Sequence, residues 1–224
     1  MDNNMKYYEA YEERYKTVHQ KGISWASDKS TPIVMDIIRR YYIKPEYELL
    51  EIGCGEGRDS KAVLDEGYHL TATDISAEAI SYCQKHMPEY AQHFRVLDCL
   101  SCDLDSSFDF IYAVAVLHML VPEEDRNGFY HFIHDHLKSE GIALICTMGD
   151  GKTEIQSDIS KAFELQERDH PLGKISVAAT SCRMVSFKTI EEELINNDLS
   201  IIEKGITNAL PEFDNLMYAV VKKR

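Results

Sequence analysis

The stretch LLEIGCGEGRDS (residues 49–60) sets three glycines, Gly53, Gly55 and Gly57, in five positions directly behind an apolar run. An apolar strand running into a glycine loop and then a helix describes the first strand-to-helix turn of a doubly wound sheet, where ligands bind beyond the carboxyl ends of the strands. Glycines there permit backbone dihedrals closed to other residues and leave no Cβ between backbone and ligand. Glu51 stands two residues ahead of the first glycine.

The pattern continues outward from this loop. Apolar runs YELLEIG, HLTATDIS, FRVLDC, FDFIYAVAVL and IALICTM alternate with segments of helical periodicity. Short runs with little polar alternation suit strands buried on both faces, and helices between them imply parallel crossovers. The expected fold is a doubly wound, Rossmann-like α/β sheet with helices on both faces. Ser76 is placed to cap a helix carrying Ile80, Cys83 and Met87 on one side. Pro122 opens another with Phe129, Ile133 and Leu137 inward, which Gly141 should stop. Near the end, the helix FKTIEEELINND precedes LSIIEKGI and LMYAVVKK. Only TNALPEFDN separates these two strands, too little for a helical crossover, so they should pair antiparallel.

Residues 149–186 are the least regular stretch. TEIQSDISKAFELQER reads as partly helical and DHPLGKISVAATSCR as loop, together a substrate-side insertion at a strand end. Residues 1–45 read as a helical segment in which Tyr8, Tyr11, Tyr15 and Val18 share a face ahead of Trp25, the sole tryptophan. That face either docks on the sheet or closes as a lid over the ligand.

The 224 residues read as one domain. No apolar run is long enough to span a bilayer and the first residues lack the basic and apolar regions of a secretory signal, so no membrane partner and a cytoplasmic location are expected. The six cysteines, mostly beside apolar segments, read as reduced thiols. Cys99 and Cys102 form a lone C-x-x-C, and His131, His134 and His136 read as a solvated helix face, so no metal site is expected. Twenty-four basic against 38 acidic residues give a formal charge of −14, which repels phosphate backbones. A small-molecule substrate, neutral or cationic, is favoured over nucleic acid. Oligomeric state leaves no signal in the sequence.

The loop also discriminates among ligands. A dinucleotide fingerprint needs its third glycine at position 58, where Arg58 stands. Glu51 would disfavour a pyrophosphate and favour a cation. Asp74 ends the second strand, at the distance from the loop where a carboxylate accepts from ribose hydroxyls. Asp98 ends the third, where it can accept from an adenine amino group. S-adenosyl-L-methionine carries a sulfonium and an ammonium and no phosphate, and so suits all three acids.

With these pieces the chain resembles the class I S-adenosylmethionine-dependent methyltransferases: LLEIGCGEGRDS, TATDIS with the following AEAI, RVLDCL, FDFIYAVAVLHML and LKSEGIALI occur in order across residues 25–148. GRDS, with Arg58 and Asp59, is most similar to the small-molecule branch that includes tellurite-resistance and thiopurine methyltransferases. The resemblance implies a seven-stranded sheet with an antiparallel final strand. It gives Glu51, Gly53, Cys54 and Gly55 to the methionine portion of the cofactor, with Gly57 and Arg58 completing the loop. Asp74 and Ile75 would meet the ribose and adenine, Asp98 and Cys99 the adenine edge, and Ala113, beside Val114, the amino group through its carbonyl. Trp25 would cover the cofactor, whose product is S-adenosyl-L-homocysteine.

Transfer of an already activated methyl group needs mainly alignment and exclusion of water. A base is needed only for a hydroxyl acceptor, for which His118 and Asp150 are the candidates. Arg168, His170 and Arg183 are candidate acceptor contacts. Two other functions share such a fold: an NAD(P)-dependent oxidoreductase, and a protein that binds S-adenosylmethionine without turnover.

Overall fold

In β1 (Glu48–Ile52) successive side chains alternate between the two faces of a sheet: Leu49 lies in one hydrophobic cluster, Leu50 and Ile52 in the other, and all three are buried. The structure, a computed structural model, describes residues 6–170, 173–207 and 215–224. The strands that follow β1 are β2 (His69–Asp74), β3 (Phe94–Val96), β4 (Phe108–Val114) and β5 (Leu137–Met148). Next come β6 (Ile155–Gln156), β7 (Leu165–His170), β8 (Gly173–Ala178) and β9 (Arg183–Met184), then β10 (Leu199–Thr207) and β11 (Leu216–Lys223).

Seven strands form the main sheet in the order β10-β11-β5-β4-β1-β2-β3. The pairs among β1 to β5 are parallel, and β11 runs antiparallel to both its neighbours, β5 and β10. The seven-stranded sheet and its reversed last strand match expectation. The chain winds outward on one side from β1 to β3 and on the other from β4 through β5 to the edge strand β10, with β11 returning between β10 and β5, so the loops after β1 and β4 flank the switch in strand order.

The helices are α1 (Ala10–Gln20), α2 (Pro32–Arg40), α3 (Arg58–Asp65), α4 (Ala77–His86), α5 (Glu123–His136) and α6 (Phe187–Asn196). On one face Ile37, Val63 and Ile80 of α2, α3 and α4 pack with Leu49, Leu70 and Phe110. On the other, Phe129, Ile133, Ile190 and Leu194 of α5 and α6 pack with Leu50, Ile52 and Ala143. Ser76 caps α4 as expected, its hydroxyl accepting from the Ala79 amide at 3.0 Å. α1 lies outside these layers: Val18 packs with Ile175 and Val177 of β8, with Trp25 alongside.

Three local expectations are corrected. α5 ends at His136 and Leu137 begins β5, which passes through Gly141. A Cβ there would meet the Phe108 and Asp109 carbonyl oxygens at 3.0 Å, so Gly141 permits close strand pairing and does not stop a helix. The insertion holds four short strands: β6 pairs with β9 and β7 with β8, both antiparallel. Its period-2 burial of Ile175 and Val177 decides this, because those side chains fill one face against α1. His136 is buried, with Nδ1 2.8 Å from the Phe132 carbonyl and Nε2 accepting from the Leu104 amide at 3.0 Å, so it ties α5 to the preceding loop and is not solvated. Residues 208–214 of TNALPEFDN lie outside the described residues.

Candidate functional site

The loop after β1 folds back on β2: the amides of Gly53 and Cys54 both donate to the Thr73 carbonyl, at 2.7 and 2.8 Å. Gly53, Gly55 and Gly57 have φ of 74°, 54° and 79°, the left-handed region where a Cβ is strained. A Cβ on Gly55 would lie 2.7 Å from the Tyr15 hydroxyl, so the absent side chain lets α1 settle onto the loop. Gly57 corrects the expectation of three ligand-facing glycines. A Cβ on it would meet Met87 Cε at 2.6 Å and Cys83 Sγ at 3.0 Å, and the residue allows close packing of α3 and α4 instead of bordering the cavity.

Alternation along β1 turns Glu51 to the α2–α4 face, where it is buried. The Ser60 hydroxyl donates to it, and so does the Tyr112 hydroxyl at 2.9 Å. Burial pushes its carboxyl up to about 8, the Asp59 charge adds to this, and the two hydrogen bonds and Arg58 oppose it. Glu51 is therefore mostly protonated at neutral pH, a correction to its reading as a standing negative charge. Asp74 is also raised by burial; it accepts from the Ser76 amide through one oxygen and the Gly55 amide through the other, both at 2.8 Å. For Asp98 burial works upward, but the hydrogen bond from Lys6 at 2.6 Å, with those from Leu100 and Ser101, leaves it below the ordinary carboxylate range.

These groups converge on one cavity beneath α1. Trp25, Glu51, Gly53, Cys54, Gly55, Arg58, Asp74, Ile75, Asp98, Cys99 and Val114 all line it, and Tyr8, Tyr11 and Tyr15 roof it. Arg58 is the one arginine or lysine among its described lining residues, with Nε 3.8 Å from Asp59. Ala113 does not reach the cavity: it is fully buried inside the sheet, opposite Ile52 and Ile145. The bend that opens there belongs to Ala115, whose φ of 60° is left-handed without glycine's freedom.

Sequence reasoning missed Ala115, Val116, Met119 and Leu120, although AVLHML is a conspicuous apolar run after a strand. It also missed Glu56, which accepts from the amides of Trp25 at 2.7 Å and Ala26 at 2.8 Å. His19 Nε2 lies 2.9 Å from Glu56, and its Nδ1 lies 2.8 Å from Glu78, so the end of α1 is fastened to both the loop and α4. Nothing in the local sequence pairs residues so far apart.

A second, larger cavity adjoins the first and shares Tyr11, Trp25 and Ala26 with it. His118, Met148, Arg168, His170 and Ser181 border it. His118 is buried, and its imidazole is pushed down to about 4 by burial and by the Arg126 charge, so it is neutral at pH 7. Asp150 borders neither cavity. It accepts from the Lys152 and Thr153 amides and the Thr153 hydroxyl, which hold it at about 2, a turn-forming acid too weakly basic for the role expected of it. Arg183 also turns away, donating to the Val121 carbonyl at 2.8 Å. All six cysteines are free thiols, and no cluster suited to a metal ion occurs among the described residues.

The chain is similar to known proteins in sequence and in fold. Residues 50–143 match the methyltransferase domain family. Malonyl-[acyl-carrier protein] O-methyltransferase of Acetivibrio thermocellus is 28% identical over 47% of this chain and 37% of its own length. Juvenile hormone acid O-methyltransferase of Bombyx mori is 30% identical over 45% and 38%. The match thus spans less than two fifths of either curated relative. The solved structure of 1,6-didemethyltoxoflavin-N1-methyltransferase from Burkholderia thailandensis superposes with a TM-score of 0.69 at 17% identity, covering 100% of this chain and 93% of that one.

Proposed function

We propose that this chain, whose residues 50–143 match the methyltransferase domain family and whose fold superposes throughout on a solved methyltransferase, is an S-adenosylmethionine-dependent methyltransferase of a small molecule. The observation that carries this reading is the convergence of Glu51, Asp74 and Asp98 with the glycine loop on a single cavity whose described lining holds one basic side chain. Phosphates would find little cationic support there. A ligand with a sulfonium and an ammonium meets carboxyl groups, so the residues present fit S-adenosylmethionine. The same chemistry gives no support to a dinucleotide-dependent oxidoreductase.

Asp74 keeps lone pairs beyond those used by the Gly55 and Ser76 amides, and these would receive the ribose hydroxyls. Ile75, Cys99 and Asp98 would bound the adenine, while Glu51, Gly53 and the Val114 to Val116 bend would hold the methionine end. Bound there, the cofactor supplies a methyl group whose sulfur leaving group is activated by its own charge. The chain's contribution is positional: Tyr11 and Trp25, which border both cavities, would align the acceptor and keep water out. Neutral His118 is able to accept a proton from an acceptor in the second cavity. The entry segment, fastened through Lys6–Asp98 ahead of α1 and His19–Glu56 near its end, would be the lid that opens for exchange.

Six free thiols suit a reducing compartment, in keeping with a cytoplasmic enzyme. The acidic balance argues against a nucleic-acid substrate. Calorimetric titration with S-adenosylhomocysteine and with NAD tests the reading: binding of the former is expected, and binding of NAD alone overturns it. Turnover on a panel of acceptors separates an enzyme from a cofactor sensor, because a sensor would bind tightly and release no methylated product.

A further inference from the structure

Arg14 of α1 is 3% exposed, yet among the described residues no carboxylate lies within ion-pair distance of it. Its Nε and Nη2 donate to the Ala178 carbonyl at 3.2 and 2.7 Å, and Nη2 also reaches Thr180 Oγ1 at 3.2 Å. Nη1 has no hydrogen-bond partner among the described residues, and the side chain borders the second cavity. The guanidinium stacks on Tyr11 and Trp25, 4.8 and 4.4 Å from their ring centroids, the two aromatics shared with the first cavity.

A second cation is brought to the same place. Arg168 on β7 is paired with Ile175 across the ribbon, so it stands on the face that packs against α1. Its charge works with burial to hold the Arg14 guanidinium below its ordinary value. Two like charges brought together without a counter-ion are unfavourable unless something anionic completes the group. The acids that border this cavity do not do so: His19 engages Glu78, Asp28 and Asp169 are exposed, and Asp169 takes the alternate position of β7, opposite Lys174 in the ladder.

We infer that the methyl acceptor is a small apolar molecule bearing one carboxylate, anchored in the second cavity by Arg14 and Arg168 against Tyr11, Trp25 and Met148. This rests on reading the first cavity as the cofactor site, and it replaces the neutral or cationic acceptor suggested by the net charge. A carboxylate supplies the counter-ion that the buried Arg14 guanidinium lacks, and the planar fork with its open Nη1 suits such a group.

The test titrates the full chain, with S-adenosylhomocysteine present, with phenylacetate, phenylacetamide, phenethylamine and phenyl phosphate, following Trp25 fluorescence and heat. Phenylacetate is expected to bind about tenfold or more tighter than the amide, the scale of one charge-assisted hydrogen bond, and tighter than the amine or the phosphate. The preference should fall to about threefold or less in Arg168→Gln and in Arg14→Gln, the difference of one such bond. Arg168 lies on an exposed strand, so its variant stays informative where Arg14→Gln misfolds. Failure of phenylacetate to bind, equal binding of its amide or amine, tighter binding of the phosphate, or a preference untouched in a folded Arg168→Gln overturns the inference. S-adenosylhomocysteine titrated alone reports separately on the cofactor reading.

Discussion

A buried carboxyl group that is protonated before its ligand arrives couples binding to pH. Glu51 is held at about 8 in the ligand-free chain. A cationic group entering beside it favours the ionised form, so binding should expel the proton. If the bound form returns to the ordinary value near 4.5, affinity should rise with pH up to about 8 and then level. From about pH 6 to about pH 8 the gain is (1 + 10²)/(1 + 10⁰), about 50-fold or about 2 kcal/mol. The ligand's own amino group titrates in this range too, so the informative quantity is the ratio of affinities for S-adenosylmethionine in the wild type and in Glu51→Gln. Calorimetry in buffers of different ionisation heat gives both the affinities and the proton released. A ratio independent of pH, with no proton released by the wild type, would refute the coupling. The same group sets a stability slope. The folded chain holds the proton between about 4.5 and about 8 while the unfolded chain has lost it, so stability of the ligand-free wild type should fall with rising pH across that window, and less so in Glu51→Gln.

Asp74→Ala should weaken S-adenosylhomocysteine binding by about 1–3 kcal/mol, the scale of losing a charged acceptor, measured by calorimetry; unchanged affinity would remove Asp74 from the site. Gly57→Ala should lower the unfolding free energy by about 1–3 kcal/mol in a denaturant titration, because φ is 79° and a Cβ meets Met87 and Cys83; a neutral result would contradict the packing role. Asp150→Asn should leave turnover at the wild-type rate, and a large loss of kcat would restore the acid as a base. Lys6→Ala and His19→Ala should each raise hydrogen exchange in α1 without altering exchange in β1 or β4; equal protection in both variants would mean that α1 is held by packing alone.

Much of the sheet was legible because its strands are buried on both faces and say so in unbroken apolar runs. Leu49 to Ile52 and Phe110 to Val114 could hardly sit elsewhere. Asp74 and Asp98 were legible for a related reason: an acid ending an apolar strand must emerge at one edge of the sheet. What escaped depends on distance along the chain. The Arg14 anchor on Ala178 joins residues 164 apart, and no local pattern announces such a pairing. The ribbon of β7 and β8 was obscured because Leu165 to His170 is largely exposed, leaving period-2 burial only on the β8 side. Ala115 escaped for a third reason, since its left-handed backbone is imposed by surroundings and its side chain gives no hint of it.

α1 borders both cavities and the β7–β8 ribbon borders the second, and the two segments meet through Val18, Ile175 and Val177 in a cluster of their own. Neither contributes a strand to the seven-stranded sheet. On the proposed assignment of the two cavities, drift in the ribbon would retune acceptor choice while the glycine loop and the folding core stay as they are, so descendants of one ancestral chain could diversify their chemistry by exchanging a canopy.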